Sequence, residues 1–556
     1  MSARTPSPGH GRREFLSRVG STAASAAALT GALPAPIAAH DDDDFQHFHD
    51  IHRESQRARD AFEVRLKAAL FQMRQGTSDH PTNGDERRYE NKIGSFTKAL
   101  PHDANGEVDR AAFAALVHAM RTSDPADFEA IPLGGPTKLV NPQAGFAFGY
   151  RGADAQATPV RVPPRFSSAE TAGEMVELYW AALTRDVPFD QYATDPTIAA
   201  ACAELSALSD YRGPKIGGAV TPGTIFRGPT AGDLIGPFIS QLLWKPINYG
   251  PYVVDQRVRI TPSNTTDPSA DYLWNYAEWL TVQNGGAPPR PQAVGTARRY
   301  LITSRDLSEW LHRDFSSQGG TDAVFILMAN GVGFAPGNPY LTSATQVGNF
   351  TFGVSQILDL IASTANTALQ ACWFEKWAVD RKVRPEEFGG SIHNKLTLGL
   401  SRPIHHEVLD SEALARSRAK YGTFLLPQAY AEGCPVHPAY PSGHSVFAGA
   451  WGTILKAFFN SAAVITNPVV PDATGSTLVP YVGPPLTAGN EIDKLVSNIG
   501  PGRAGPCGVH WRSDCVEGMN MGEACAIAVL QDMRRTYNES FGGFQFKKFD
   551  GTTVTI

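Results

Sequence analysis

The stretch CPVHPAYPSGH, residues 434–444, contains the turn around which the rest of this chain is organised. Prolines interrupt it as far as Pro441, Ser442 is a favourable residue for capping a helix, and the apolar residues 445–455 then predict that helix. Free backbone N–H groups at a helix start, beside a small Ser-Gly pair, favour an oxyanion site. His444 stands at that site, where it can move a proton. Taken alone, the pattern fits a capped loop equally well.

Two flanking segments add cations and a second histidine. Upstream, Lys376 lies eight residues before Arg384, which a proline follows. Downstream, Arg503 precedes His510, and Asp514 follows that histidine by four residues. A tetrahedral oxyanion needs fixed positive charge and convergent donors, and arginine and lysine supply them as a planar fork and a point charge. Each residue alone could be a solvated cation or a core histidine, so the argument rests on their combination.

The three segments together resemble a known site. Lys…Arg-Pro, Pro-Ser-Gly-His and Arg…His-x-x-x-Asp occur here in the order found in vanadium-dependent haloperoxidases and type 2 phosphatidic acid phosphatases. Residues 89–103, YENKIGSFTKALPHD, resemble the N-terminal signature of bacterial and algal haloperoxidases, and we expect an ordered surface loop there. The fold class that this implies is mostly α, built from helical bundles of the vanadium haloperoxidase and acid phosphatase type, with long loops and little β structure.

The resemblance also implies a vanadate cofactor and a role for each matching residue. His510 would be the metal ligand, and His444 would be the acid–base group for peroxide. Lys376 and His437 join His444 in the expected catalytic set, while Trp373 and His437 would lie near the halide. The expected vanadate-binding residues are Lys376, Arg384, Ser442, Gly443, Arg503 and His510.

The implied reaction is the oxidation of a halide by hydrogen peroxide to a hypohalous species that halogenates a small organic substrate. Vanadium would keep its oxidation state and act as a Lewis acid. We expect bromide to be the halide, because bromide-preferring members of the family commonly have a histidine where His437 stands, seven residues before His444.

Two alternatives belong to other classes. A soluble, exported acid phosphatase would use His510 as the nucleophile that takes the phosphoryl group. A non-catalytic oxyanion-binding protein would need no acid–base group, so His444 argues against it. Added vanadate distinguishes the two enzymes, because it should activate bromination by a haloperoxidase and inhibit a phosphatase.

One position departs from the family pattern. The usual arginine stands six residues before the metal-binding histidine, whereas Arg503 stands seven before His510 and position 504 is alanine. The glycine-containing loop 502–506 could absorb the extra residue. Arg512 is the alternative cation.

Composition limits the partners. The chain has 556 residues with 42% hydrophobic and 19% charged residues, which indicates a globular protein with a large core. A net charge of −6 gives no reason to expect a nucleic-acid partner, and no apolar run after the N-terminus is long enough to span a membrane. We expect a homo-oligomer. The six cysteines include no Cys-x-x-Cys pair, and Cys434 and Cys507 could form a disulfide or stay free.

Three parts are predicted along the chain. Residues 1–40 are expected to be a twin-arginine signal segment, because Arg12-Arg13 precedes an alanine-rich stretch with small residues for cleavage; a disordered basic tail is the alternative. Export would place the protein in the periplasm or outside the cell. Residues 41–340 form the expected N-terminal helical part, and residues 341–556 the vanadate-binding helical bundle. Predicted helices are 51–75, 110–122, 168–184, 197–208, 271–282, 296–311, 320–329 and 349–382.

Overall fold

The structure is a computed structural model that describes residues 54–263 and 268–556, without the side chains of residues 54, 55, 503 and 504. The predicted signal segment, residues 1–40, lies outside the described residues, as does the predicted helix start at residue 51. The chain divides into two compact units, Met1–Lys67 and Ala68–Ile556. Within the first unit the described residues belong to a helix that begins at Glu54, and the second unit contains every other element given below.

The described part of the chain is mainly helical, as predicted. Its α-helices are α1 Glu54–Arg74, α2 Asp85–Arg88, α3 Arg110–Thr122, α4 Pro125–Glu129, α5 Ala169–Leu183, α6 Pro196–Ala207, α7 Tyr276–Gln283, α8 Ser304–Arg313, α9 Gln318–Ala329, α10 Val354–Phe374, α11 Pro385–Leu398, α12 His406–Leu409, α13 Glu412–Tyr421, α14 Gly443–Phe458, α15 Ala488–Ile499, α16 Pro501–Ala504 and α17 Arg512–Arg534. A π-helical turn, Glu375–Val379, continues α10. None of the described helices is both long and apolar enough to span a membrane.

The β structure described consists of short two-stranded antiparallel pairs. The strands are β1 Ile247–Tyr249, β2 Tyr252–Val254, β3 Val258–Arg259, β4 Arg298–Arg299, β5 Val469–Pro471, β6 Leu478–Pro480, β7 Gln545–Lys547 and β8 Thr553–Thr555. They pair antiparallel as β1–β2, β3–β4, β5–β6 and β7–β8, with Asn248 opposite Val253, for example. Pairs this small add little to a core, so helix packing has to supply it.

Helix α14 lies at the centre of the bundle. Nearly all of its side chains are buried, and it packs against α10, α15 and α17. Two glycines allow the closest of these approaches: a Cβ at Gly449 would collide with the Met519 carbonyl of α17, and a Cβ at Gly522 with the Val446 carbonyl of α14. The surrounding core draws residues from both sides of residue 340, and the predicted division there stays a prediction.

The starts of α3 and α5 agree with the predictions, and a capping side chain fixes each of them. Asp109 caps α3 by accepting the Ala112 N–H at 2.8 Å, and Ser168 caps α5 by accepting the Thr171 N–H at 3.2 Å. The helix predicted at 296–311 begins instead at Ser304, because Thr303 and Asp306 form a capping box. Residues 298–299 before it are strand β4.

The long helix predicted at 349–382 is shorter than expected at both ends. Gly353 precedes its first turn, and its last regular residue is Phe374. The π-turn then closes with the Asp380 N–H donating to the Glu375 carbonyl at 2.8 Å. The helix predicted at 271–282 starts later as well, because Asn275 caps it by accepting the Ala277 N–H at 3.0 Å.

The prediction that residues 89–103 form a surface loop is wrong, because much of the segment is buried. Residues 94–100 are buried, and Lys98 is only 2% exposed. Its Nζ donates to Glu386 Oε1 at 3.0 Å and to the carbonyls of Glu432 and Cys434 at 2.7 and 2.8 Å. A lysine is buried when its charge is paired in this way, and here it joins the segment to α11 and to the loop before α14.

The six cysteines, all within the described residues, are buried and take part in no disulfide. Of the two alternatives for Cys434 and Cys507, the disulfide is therefore not formed, and both remain thiols. The Sγ of Cys434 lies 3.6 Å from the Val509 carbonyl, and the Sγ of Cys507 accepts the Tyr430 hydroxyl at 2.9 Å. Both thiols behave as small buried groups with weak polar contacts.

Candidate active site

The π-turn after α10 carries Lys376, which is fully buried. Its Nζ donates to the carbonyls of Pro438 and Ala439 at 2.7 and 2.9 Å, within the loop that precedes α14. Burial lowers the pKa of Lys376 to about 7, the Cys372 thiol opposes this shift, and the nearby Arg384 guanidinium adds to it. Burial therefore disfavours the charged form of the amine, and a bound anion would stabilise it.

Arg384 connects the three sequence segments. The proline after it keeps its backbone extended, at φ −79° and ψ 154°, as the residue before α11. Its buried guanidinium donates from Nε to the His437 carbonyl at 2.9 Å and from Nη1 to the Val509 carbonyl at 2.7 Å. The same Nη1 lies 3.0 Å from His510 Nε2, and Nη2 lies 3.0 Å from His437 Nδ1.

His510 has one tautomer that satisfies both of these neighbours. Its Nδ1 lies 2.9 Å from Asp514 Oδ2, and a carboxylate can only accept, so Nδ1 carries the proton. Arginine can only donate, so the Nε2 lone pair points toward Arg384. Asp514 is fully buried and also receives the Trp511 N–H at 3.1 Å and Lys382 Nζ at 3.2 Å. A histidine that ligates a metal is oriented in this way by a second group.

Ser442 and Gly443 stand at the start of α14. Ser442 is fully buried, its Oγ accepts the Ser445 N–H at 3.4 Å, and its own N–H donates to the Asp514 carbonyl at 2.8 Å. That last bond fixes the start of α14 to α17, the helix next to His510. A Cβ at Gly443 would lie 3.3 Å from the Trp373 ring, so a side chain here would narrow the space at the helix start.

His444 is the most exposed of the predicted site residues on this turn, with 22% of its side chain accessible. Its Nε2 lies 2.8 Å from Asp314 Oδ1, whose side chain is 2% exposed. The imidazole ring also packs against Phe447 at 4.7 Å between centroids. The Asp314 carboxylate, by bonding Nε2, fixes the direction in which Nδ1 of His444 points and favours a protonated ring.

Asp314 is the residue that the sequence argument missed. It lies just after α8, 130 residues before His444 in the chain. No local pattern marks it, because a single aspartate at the end of a helix is common. A carboxylate partner of His444 becomes visible only when the residue after α8 is placed beside the start of α14.

Trp373 and His437 lie together on one side of the cluster. Their ring centroids are 5.0 Å apart at an interplanar angle of 39°. Trp373 is partly exposed, and its Nε1 donates to the Val140 carbonyl at 3.2 Å. The two rings form a wall that is apolar on the indole side and polar on the imidazole side, next to Arg384.

The structure leaves the role of Arg503 open and gives Arg512 a structural partner. Arg503 belongs to α16, and its side chain lies outside the described residues, so its assignment stays a prediction. Arg512 is buried and donates from Nε to Glu177 Oε2 at 2.9 Å and from Nη1 to the Arg227 carbonyl at 2.8 Å. It is held by an acidic partner on α5, which leaves it unsuited to serve as the alternative cation.

The cluster has the donor set for an oxyanion attached to one histidine. Among the described residues, no group of three or more His, Cys, Asp or Glu side chains is placed to hold a metal ion. Instead, the hydrogen-bond partners of the buried Lys376 are two neutral carbonyls, an arrangement that leaves its charge to be balanced by an anion. Together with Arg384, the helix start at Ser442 and the directed Nε2 of His510, this fits a tetrahedral oxyanion.

Comparisons with known proteins agree along nearly the whole chain. The vanadium-dependent bromoperoxidase of Ascophyllum nodosum is 33% identical, over 90% of this chain and 93% of its own length. That of Corallina pilulifera is 32% identical, over 90% of this chain and 98% of its own. A family model described as the VCPO second helical-bundle domain matches residues 414–539.

A solved structure agrees as well. The homohexameric structure of the second vanadate-dependent bromoperoxidase of Ascophyllum nodosum superposes with a TM-score of 0.86 and 29% sequence identity. The match covers 95% of each chain. The likeness therefore includes the N-terminal half as well as the bundle around α14.

Proposed function

This chain belongs to the family of vanadium-dependent bromoperoxidases, and we propose from this premise that His510 holds the vanadate with which it oxidises a halide. It is an enzyme, a haloperoxidase that uses hydrogen peroxide. The observation that carries the placement of the cofactor is the fixed tautomer of His510, with Nδ1 bonded to Asp514 and Nε2 directed at Arg384.

Four further residues would hold the vanadate oxygens. Lys376 and Arg384 provide the positive charge, and Ser442 and the Gly443 N–H provide donors at the helix start. When bound, vanadate supplies a Lewis-acid centre that activates peroxide without a change in vanadium oxidation state. The protein contributes charge, orientation and an enclosed setting, since the cationic side chains are buried.

His444 would handle the proton. Oxidation of bromide follows H₂O₂ + Br⁻ + H⁺ → HOBr + H₂O, so each turnover consumes one proton. Because the Asp314 carboxylate accepts from Nε2, Nδ1 is the ring nitrogen that changes its protonation. Asp314 would stabilise the imidazolium between turnovers.

Bromide is the halide that the site favours. The relatives are named bromoperoxidases, and the pair formed by Trp373 and His437 offers an apolar face with a polar edge beside Arg384. Chloride is harder to oxidise than bromide, so a modestly activated peroxide turns over bromide and iodide but little chloride. The hypobromous product then halogenates a small organic substrate.

The other two functions are not favoured. The curated relatives are peroxidases, which argues against an acid phosphatase with a phosphohistidine at His510. The His444–Asp314 pair is not needed by a protein that only binds an oxyanion. The test is to add orthovanadate to metal-free protein with bromide and peroxide: bromination should appear, whereas phosphatase activity that vanadate inhibits would refute the proposal.

Export and assembly are also proposals. The twin-arginine pattern at Arg12-Arg13 supports export to the periplasm or beyond, and replacing both with lysine should retain the protein in the cytoplasm. The relation to type 2 phosphatidic acid phosphatases rests on the shared motif. A homo-oligomer is supported by the homohexameric relative, and light scattering on the purified protein measures its mass directly.

A further inference from the structure

We propose that the segment His80–Asn83 is a clamp that sets the position of Lys376, with His80 as a positioning residue for vanadate binding. The segment connects α1 to α2 and lies far from Lys376 in sequence. It nevertheless reaches Glu375, the first residue of the π-turn that carries Lys376. The inference rests on the proposed role of Lys376.

The clamp acts through a buried contact between His80 and Glu375. His80 Nδ1 lies 2.9 Å from Glu375 Oε2, and Nε2 lies 2.8 Å from the Gln156 carbonyl. The two side chains are 10% and 2% exposed, and the imidazole packs edge-on against Phe374 at 5.3 Å. Two acceptors therefore face the two ring nitrogens, and a neutral imidazole has only one donor, so the contact holds an additional proton as a charge-assisted bond.

The C-terminal end of the π-turn is at Asp380. The Asp380 N–H closes the turn onto the Glu375 carbonyl at 2.8 Å. Burial raises the pKa of Asp380 to about 7, and the Glu375 charge raises it further, while Lys382 and Arg381 oppose the shift. Glu375 therefore takes part in the contact with His80 through its side chain and in the closure of the turn through its carbonyl.

The clamp is itself held in a defined shape. Asn83 is 8% exposed, its Nδ2 donates to the Pro164 carbonyl at 3.1 Å, and its Oδ1 accepts the Asp85 N–H at 2.9 Å. His80 has φ +44°, a left-handed conformation that costs energy for a residue with a side chain and persists only where contacts determine it. The backbone shape of His80 is therefore linked to its contacts with Glu375 and Gln156.

The consequence for Lys376 follows from the geometry of the turn. A π-turn is rare within helices and frequently occurs at functional sites. Lys376 is its second residue, and the turn directs Nζ to the carbonyls of Pro438 and Ala439 beside the vanadate-binding loop. The contact of His80 with Glu375 holds the first residue of the turn, so losing it should move Nζ and weaken vanadate binding.

The test uses the full chain with His80→Ala, His80→Gln and the matched control His118→Ala. His118 is a histidine on α3 that is 63% exposed and pairs with Asp127 at 3.4 Å, outside the cluster. Loss of an orienting partner typically costs about 10–100-fold in metal affinity, so His80→Ala should raise the vanadate Kd by about that factor. His80→Gln keeps one hydrogen bond and should recover part of the loss, and His118→Ala should match wild type.

Two readouts do not depend on turnover. The ⁵¹V NMR shift of bound vanadate should change in His80→Ala, and amide exchange of residues 376–380 should become faster. A wild-type Kd with an unchanged shift in His80→Ala would overturn the clamp, as would an equal loss in His118→Ala.

A second variant covers the case in which His80→Ala folds poorly. Glu375→Gln keeps the size of the side chain and removes its charge, and it should also raise the vanadate Kd; a wild-type Kd would overturn the proposal. If the wild-type protein bound no vanadate, the proposed function itself would fail, which is a different result from equal binding by wild type and variants.

Discussion

The Nη1 atom of Arg384 lies 3.0 Å from Nε2 of His510, while Nδ1 of the same ring lies 2.9 Å from Asp514 Oδ2. A guanidinium on one side and a carboxylate on the other leave a single tautomer for the imidazole. The buried lone pair of Nε2 is thereby directed before any cofactor arrives. The imidazole of His510 is thus held in one orientation by two neighbours.

Asp514→Asn should weaken vanadate binding by about 10–100-fold, because an amide no longer fixes the proton on Nδ1 of His510. Isothermal titration of metal-free protein with orthovanadate measures the change. Glu412→Gln, at an exposed pair with Arg416 on α13, serves as the control for loss of a carboxylate. Wild-type affinity in Asp514→Asn would mean that vanadate binding does not depend on the contact between His510 Nδ1 and the Asp514 carboxylate.

Vanadate affinity should fall as pH rises above about 7, because burial lowers the pKa of Lys376 to that value. Below pH 7 the amine is already charged and its contribution to anion binding is fully present. Above pH 7 it must first take up a proton, which costs up to about tenfold in affinity per pH unit. Titrations from pH 6 to 9 on wild type and Lys376→Met isolate this contribution, and parallel curves for the two proteins would exclude it.

Asp314→Ala should lower the bromination rate while leaving vanadate bound. His444 would lose the carboxylate that holds Nε2 at 2.8 Å, and removing the support of an acid–base group can cost up to about 10²–10⁴-fold. Steady-state bromination and vanadium content are measured on the same samples. A variant that loses its vanadium in parallel with its activity would instead place Asp314 in the binding site.

His437→Ala should change both the halide range and the pH profile. The His437 imidazole lies against Trp373, and its Nδ1 is 3.0 Å from Arg384 Nη2. Loss of the imidazole therefore alters the polarity beside the halide. Wild type should brominate an activated diketone near neutral pH and chlorinate it little, at matched peroxide. Equal chloride and bromide rates in wild type, or an unchanged pH profile in the variant, would show that His437 does not set the halide range.

The sequence predicted the features that local chemistry determines. Ser442 caps α14, and the helix predicted at 445–455 is the interior of Gly443–Phe458. Pro385 places Arg384 outside a helix, and Lys376 lies near the end of its own. Capping side chains and proline act on their immediate neighbours, so a single sequence contains the information.

The remaining features depend on contacts between distant parts of the chain. The burial of Lys98 requires Glu386, and the orientation of His444 requires Asp314. The π-turn at Glu375–Val379 has no composition that distinguishes it from α-helix, and its contact with His80 joins positions 295 residues apart. Hydrophobic periodicity gives no signal for contacts between distant residues. The predicted helix therefore ran on to residue 382, through the π-turn.

The most direct test of whether His510 holds the vanadate is the vanadium content of His510→Ala compared with that of His444→Ala, after loading with orthovanadate and desalting. If His510 is the ligand, the first variant should retain almost no vanadium and have no bromination, whereas the second should retain vanadium and lose only turnover. Full vanadium occupancy in His510→Ala would contradict the account, because the directed Nε2 would then not be the atom that holds the cofactor.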